Sequence, residues 1–127
     1  MAKTVLKIDT ADQFDFILLG IICQHHDYRL CFALNNKLQI KLERKEDYEV
    51  FNNKRMMKMS FPFFKYENTD GDVFNVFANK SEKGNLIPEQ SHIDYFIMVC
   101  ESFKRLNETE LISSIKEIPI VLGAYKV

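Results

Sequence analysis

The stretch Ser60-Phe61-Pro62-Phe63-Phe64-Lys65-Tyr66-Glu67-Asn68-Thr69-Asp70-Gly71-Asp72-Val73-Phe74-Asn75-Val76-Phe77-Ala78 decides the fold class. Ser60–Tyr66 and Asp72–Ala78 are Phe-rich runs of strand length, and Glu67–Gly71 between them is short and polar. Asp-Gly in such a gap is a strong hairpin signal, because glycine supplies the positive φ that a tight reversal needs. A hairpin makes its two strands antiparallel. Pro62 cannot donate to a ladder, so it belongs at an edge or beside a bulge.

Toward the C-terminus, Asn79–Asn85 reads as a polar loop containing Gly84. Ile93–Cys100 is almost continuously apolar and only one strand long, as expected of a central strand covered on both faces. Asn107 or Thr109 caps a helix whose Leu111, Ile112 and Ile115 form an apolar stripe. Pro119 stops it, and Ile120–Tyr125 returns as a final strand. That strand–helix–strand unit makes a right-handed crossover if its strands are parallel neighbours.

Toward the N-terminus, Glu43–Lys58 is charged and weakly periodic, a loop with at most a short element around Tyr48–Phe51. Leu38–Glu43 alternates apolar and polar and predicts a strand with one wet face. Asp27 is a good N-cap for a helix carrying Tyr28, Cys31, Phe32 and Leu34, which Asn35-Asn36 can end. Phe14–Cys23 suits a buried strand or a core helix. Thr10 with Gln13 imitates a capping box, whereas Phe-Asp-Phe alternation and Gly20 favour the strand, which we adopt. Thr4–Asp9 reads as a short strand. The sum is an α+β domain spanning 1–127, a largely antiparallel sheet of about five or six strands with two helices.

Composition limits the function. Lys+Arg is 17 and Asp+Glu is 18, a net charge of -1. Nucleic-acid binders usually carry a basic excess, because phosphate neutralisation supplies most of their affinity. Cys23, Cys31 and Cys100 are an odd set at irregular spacing, so reduced, buried thiols suit them better than a disulfide framework. The N-terminus lacks a basic-then-apolar leader pattern, and the longest apolar run, Phe16–Cys23, is far short of the ~20 residues needed to cross a bilayer. The expectation is a cytoplasmic protein that does not enter membranes.

Ile87-Pro88-Glu89-Gln90-Ser91-His92-Ile93-Asp94-Tyr95 resembles the signature of the bacterial IPExxxVDY family, with Ile93 where the signature has Val. Asp27–Asn35 is similar to the family's helical segment and Phe16–Ile21 to its preceding apolar run. The resemblance implies a small bacterial cytosolic protein and implies no reaction.

Physically, Pro88 holds Ile87 extended and prevents a helix from running through. Glu89, His92 and Asp94 are polar groups beside an apolar strand, so each needs solvent or a partner. Tyr95 can bury its ring while its hydroxyl finds an acceptor. These residues make either an acid/base cluster at a cleft or a structural latch, with Glu89 and Asp94 pairing a base or capping backbone amides. The latch is favoured, since ion-pair networks also arise for structural reasons.

A zinc site from Cys23, His25 and His26, completed by Cys100 or His92, lacks the paired ligand spacing of structural zinc. A nucleophile pair of Cys23 or Cys100 with His92 conflicts with the apolar runs around both thiols. With only four glycines and no Gly-rich loop, no nucleotide cradle or cofactor is implied. Lys54, Arg55 and Lys58 before Phe61, Phe63, Phe64 and Tyr66 form a basic run feeding an aromatic strand, the best case for single-stranded RNA. Nearby acids and the demand of the core for those rings oppose it. By elimination the chain reads as a non-catalytic interaction or assembly module, for which symmetric dimerisation is one way to close a sheet edge. RNA binding and an enzyme using Glu89, His92 and Asp94 are the alternatives.

Overall fold

A computed structural model describes residues 16–52, 56–81, 84–100 and 107–127. The expected strand at Thr4–Asp9 and the basic residues Lys54 and Arg55 lie outside the described residues. The elements are β1 (Phe16–Ile22), α1 (Asp27–Leu38), β2 (Glu43–Asn52), β3 (Met57–Glu67), β4 (Val73–Ala78), β5 (Lys80–Ser81), β6 (Gly84–Asn85), β7 (Tyr95–Cys100), α2 (Glu108–Lys116) and β8 (Gly123–Lys126). Six strands form an antiparallel sheet in the order β2-β3-β4-β7-β1-β8, and β5 pairs with β6 in a small ribbon. The α+β class follows from this sheet and the helices on it.

The Phe-rich hairpin is the β3–β4 pair, registered from Glu67↔Val73 to Phe63↔Phe77. Gly71 turns it at φ 91°, and Asn68 closes it by accepting the Asp70 and Asp72 amides at 2.9 Å each on its side-chain oxygen. Pro62 sits opposite the register shift between Lys45 and Tyr48 of β2, so its missing N–H costs no regular ladder bond. Every residue of β4 and β7 is buried, because both faces of the sheet are covered. On one face Leu30, Cys31 and Leu34 of α1 and Leu111 and Ile115 of α2 pack against Leu19, Ile21, Val76, Ile97 and Val99. On the other face Phe61, Phe77, Met98 and Cys100 form a second cluster. There Phe63 stacks on Phe77 at 4.8 Å and Tyr48 meets the same ring edge-on at 5.0 Å, tying β2 to β4 across β3.

The ambiguous run is strand: Phe16–Ile22 is β1, lying between β7 and β8. Gly20 makes room there for Ile93, whose Cδ1 would stand 2.7 Å from a Cβ and would have to shift. The terminal unit β7–α2–β8 has parallel strands, but β1 lies between them and pairs antiparallel with each. Asn107 caps α2, its side chain accepting the Glu110 amide at 3.0 Å.

Four local expectations are corrected. Asp27 is the first residue of α1 and His26 occupies the cap position without a side-chain bond. The helix runs past Asn35-Asn36 to Leu38 and ends at Gln39, whose φ of 57° is left-handed. Leu38–Glu43 is no strand: Ile40 and Leu42 are buried, but the Leu42 amide and carbonyl bond to the Asn35 side chain at 2.7 and 3.5 Å, which replaces a strand partner. Within the expected loop Glu43–Lys58, Met57-Lys58 open β3 and Glu43–Asn52 is the long edge strand β2. Its bulge and exposed charges hide the alternation on which sequence patterning depends. In addition, Asn79–Asn85 contains the β5–β6 ribbon, and the last strand begins at Gly123, three residues after Ile120.

Candidate functional site

The signature segment is organised by a residue outside it. Asn79, fully buried at the end of β4, donates from its side-chain amide to the carbonyls of Gln90 at 3.0 Å and Ile93 at 2.8 Å. Its side-chain oxygen accepts the Ile87 amide at 2.8 Å. Its backbone N–H reaches the Asp94 carbonyl at 2.9 Å and its carbonyl receives the Leu86 amide at 2.6 Å. Both ends and the middle of the 86–94 loop therefore hang on one asparagine. Pro88 starts a short 3-10 turn, Pro88–Gln90, as its fixed φ and absent N–H suit a first helical position.

The end of the signature grips the chain leaving β1. Asp94 accepts the Cys23 amide on one carboxylate oxygen at 2.9 Å and faces Lys80 with the other at 3.2 Å. Its own amide bonds to the Ile21 carbonyl at 2.9 Å. Tyr95 buries its ring and donates its hydroxyl to the His25 carbonyl at 2.6 Å. Burial, with the Asp27 carboxylate as a second cause, pushes the Tyr95 phenol well above its ordinary range. A hollow of about 340 Å³ opens here, lined by Cys23, Gln24, His25, Ala78, Lys80, Asp94 and Tyr95.

Glu89 and His92 are exposed and do not line this hollow. Among the described residues no hydrogen bond or ion pair reaches Glu89, so the expected bonds from it to amides or a base are not made. Of Glu89, His92 and Asp94, only Asp94 faces the hollow, and its carboxylate is engaged by Cys23 and Lys80. Burial raises the Cys23 thiol, helped by the Asp94 charge, which is opposite to what a thiolate nucleophile needs. Cys31 is pushed up to about 12, again mainly by burial. Cys23 and Cys100 belong to the cores on opposite faces of the sheet. Among the described residues no three His, Cys, Asp or Glu are grouped to hold a metal ion.

Of the basic-aromatic strip, only Lys58 and the rings fall within the described residues. Phe61 and Phe64 are buried, Phe63 is stacked on Phe77, and Lys58 pairs with Glu49 at 3.4 Å. Phe61 and Phe64 belong to the cores, whereas the half-buried Phe63 and Tyr66 also line a hollow of about 560 Å³ with Lys41, Lys45 and Lys65 and the acids Glu43 and Glu67.

What sequence reasoning missed is outward-facing apolar surface. Tyr28 and Phe32, one turn apart on α1, are 66% and 68% exposed. With Ala33, Ile118, Pro119 and Ile120 they wall a groove of about 550 Å³, with Arg29 and Asn36 at its rim. The helical spacing of Tyr28, Cys31, Phe32 and Leu34 does not separate faces; Leu30, Cys31 and Leu34 are the buried residues of α1. Leu122, Tyr125 and Val127, in and beside β8, are also exposed. No helix of the described chain is long and apolar enough to cross a membrane. No family model, curated protein or solved structure matches this chain.

Proposed function

We propose that this protein is a non-catalytic assembly module that associates with a second copy of itself. The observation that supports it most is the set of large apolar side chains left outside both cores, with Leu122, Tyr28 and Phe32 each about two-thirds exposed. Patches of this kind mark interaction surfaces more often than isolated apolar residues do. Within the signature, by contrast, Asp94 and Tyr95 are engaged in holding backbone, which supports a role for them in the shape of the module. The signature residues 87–95 also support membership of the bacterial IPExxxVDY family and a cytoplasmic location.

Sedimentation equilibrium across a concentration series tests the reading. A concentration-dependent rise to twice the chain mass is expected, with no salt-sensitive retention on single-stranded RNA. A monomer at every concentration, or retention on RNA that fades with salt, refutes it.

A further inference from the structure

We infer that the second copy joins along β8, extending the antiparallel sheet across a twofold axis. This rests on the self-association proposed above and assigns it a surface. The two edges of the sheet are unlike. The β2 edge carries Glu43, Arg44, Lys45, Glu46 and Asp47, all exposed, and a bulge follows Lys45. Charges and bulges are how natural sheets keep an edge from pairing. Among the described residues the β8 edge is the less guarded, with a single charge and no bulge within Gly123–Lys126. Gly123-Ala124-Tyr125-Lys126 runs against β1 without a register shift, and its one charge, Lys126, is held by Glu108 at 3.4 Å. Among the described residues no strand pairs with the outer side of β8.

The register follows from the ladder. Val127 donates to the Leu18 carbonyl at 3.0 Å, and Tyr125 stands opposite Gly20. Alternation then turns the N–H and C=O of Ala124 and Lys126 to the open side. A twofold axis at Tyr125 pairs Ala124 with the partner's Lys126, each pair exchanging both backbone bonds. Tyr125 meets the partner's Tyr125 at a non-hydrogen-bonded position, where side chains come closest and aromatic pairs stabilise a sheet. Val127 comes to the partner's Gly123, which has no side chain and is covered by its own Tyr125 hydroxyl, 2.8 Å from where a Cβ would stand. The charge pattern agrees: Lys126 faces alanine and keeps Glu108, whereas pairing β2 with itself would crowd runs of charge.

The test uses the intact chain. Amide exchange at Ala124 and Lys126 should slow at least ~10-fold between dilute and concentrated protein, while Tyr125 and Val127, already bonded to β1, change little. Tyr125→Lys places like charges at the axis on an exposed side chain and should weaken the dimer at least ~10-fold in sedimentation. Phe51→Ser, on the opposite edge strand β2, should leave it unchanged. A dimer that survives Tyr125→Lys, or that Phe51→Ser dissolves, overturns the β8 assignment and leaves self-association standing. A chain that stays monomeric refutes both.

Discussion

Replacing Asn79 with Ala removes the point from which the 86–94 loop is hung. Three side-chain bonds disappear, to Gln90, Ile93 and Ile87. At about 1 kcal/mol net for each, the loss is about 3 kcal/mol. The Ile93 site is the most costly, because Ile93 is 2% exposed and water does not replace the lost donor easily. Ile87 and Gln90 are half-buried and recover part of theirs from solvent. With unfolding entropy near 2.1 cal/mol/K per residue, about 3 kcal/mol lowers Tm by about 10 °C in a chain of this length. Asn79→Asp keeps the acceptor for Ile87 but points an anionic oxygen at two carbonyls, so it should cost at least as much. Glu89→Gln, on an exposed carboxylate without a described partner, should cost less than ~0.5 kcal/mol. Urea unfolding followed by far-UV circular dichroism measures all three. An Asn79→Ala variant within ~1 kcal/mol of the parent, or a Glu89→Gln variant as destabilised as it, refutes the reasoning.

Asp94→Asn keeps an acceptor for the Cys23 amide and loses the half-exposed Lys80 pair, so it should cost under ~1 kcal/mol and less in high salt, whereas Asp94→Ala should cost ~1–3 kcal/mol at any salt; unfolding midpoints at two ionic strengths separate these. Gly20→Ala should destabilise by ~1–3 kcal/mol through its clash with Ile93 Cδ1, and Ile93→Val, which deletes that atom, should recover much of the loss in a double-mutant cycle. Cys31 has an ordinary value of 9.0 raised to about 12, and Tyr95 is raised from 10.0, so the folded chain keeps protons that the unfolded chain releases. Stability should therefore be complete below about pH 9 and fall as pH climbs toward 12, by at most ~1.4 kcal/mol per pH unit for each group. Unfolding midpoints at neutral and alkaline pH check this, and Cys31→Ser should flatten the decline.

The parts of the fold legible in the sequence were those whose signal is local. The β3–β4 hairpin needs only two apolar runs and a glycine able to take positive φ. β7 needs only a run short enough for a strand and apolar enough for two covered faces. The Asn107 cap and the Pro119 stop are likewise chemistry within one turn of helix. Burial patterns misled where a non-strand partner did a strand's work. The Asn35 side chain satisfies Leu42, so alternation in 38–43 reports burial and not a ladder. At β2 the reverse occurred, since an edge strand with a bulge and a wet face can carry charges at nearly every position.

Local patterning alone points to a largely antiparallel α+β sheet, free buried thiols and a proline-bounded segment before the central strand. Only tertiary structure decided which residue holds that segment. Asn79 precedes Ile87 by eight residues, just after β4, and carries no motif of its own; it becomes the hub because β4 and β7 are neighbours and a buried amide can serve two carbonyls and one N–H at once. Tertiary structure also decided which strands form the edges of the sheet, β2 and β8. Edge status depends on strand order, and strand order depends on contacts between segments far apart in the chain, which no local pattern encodes.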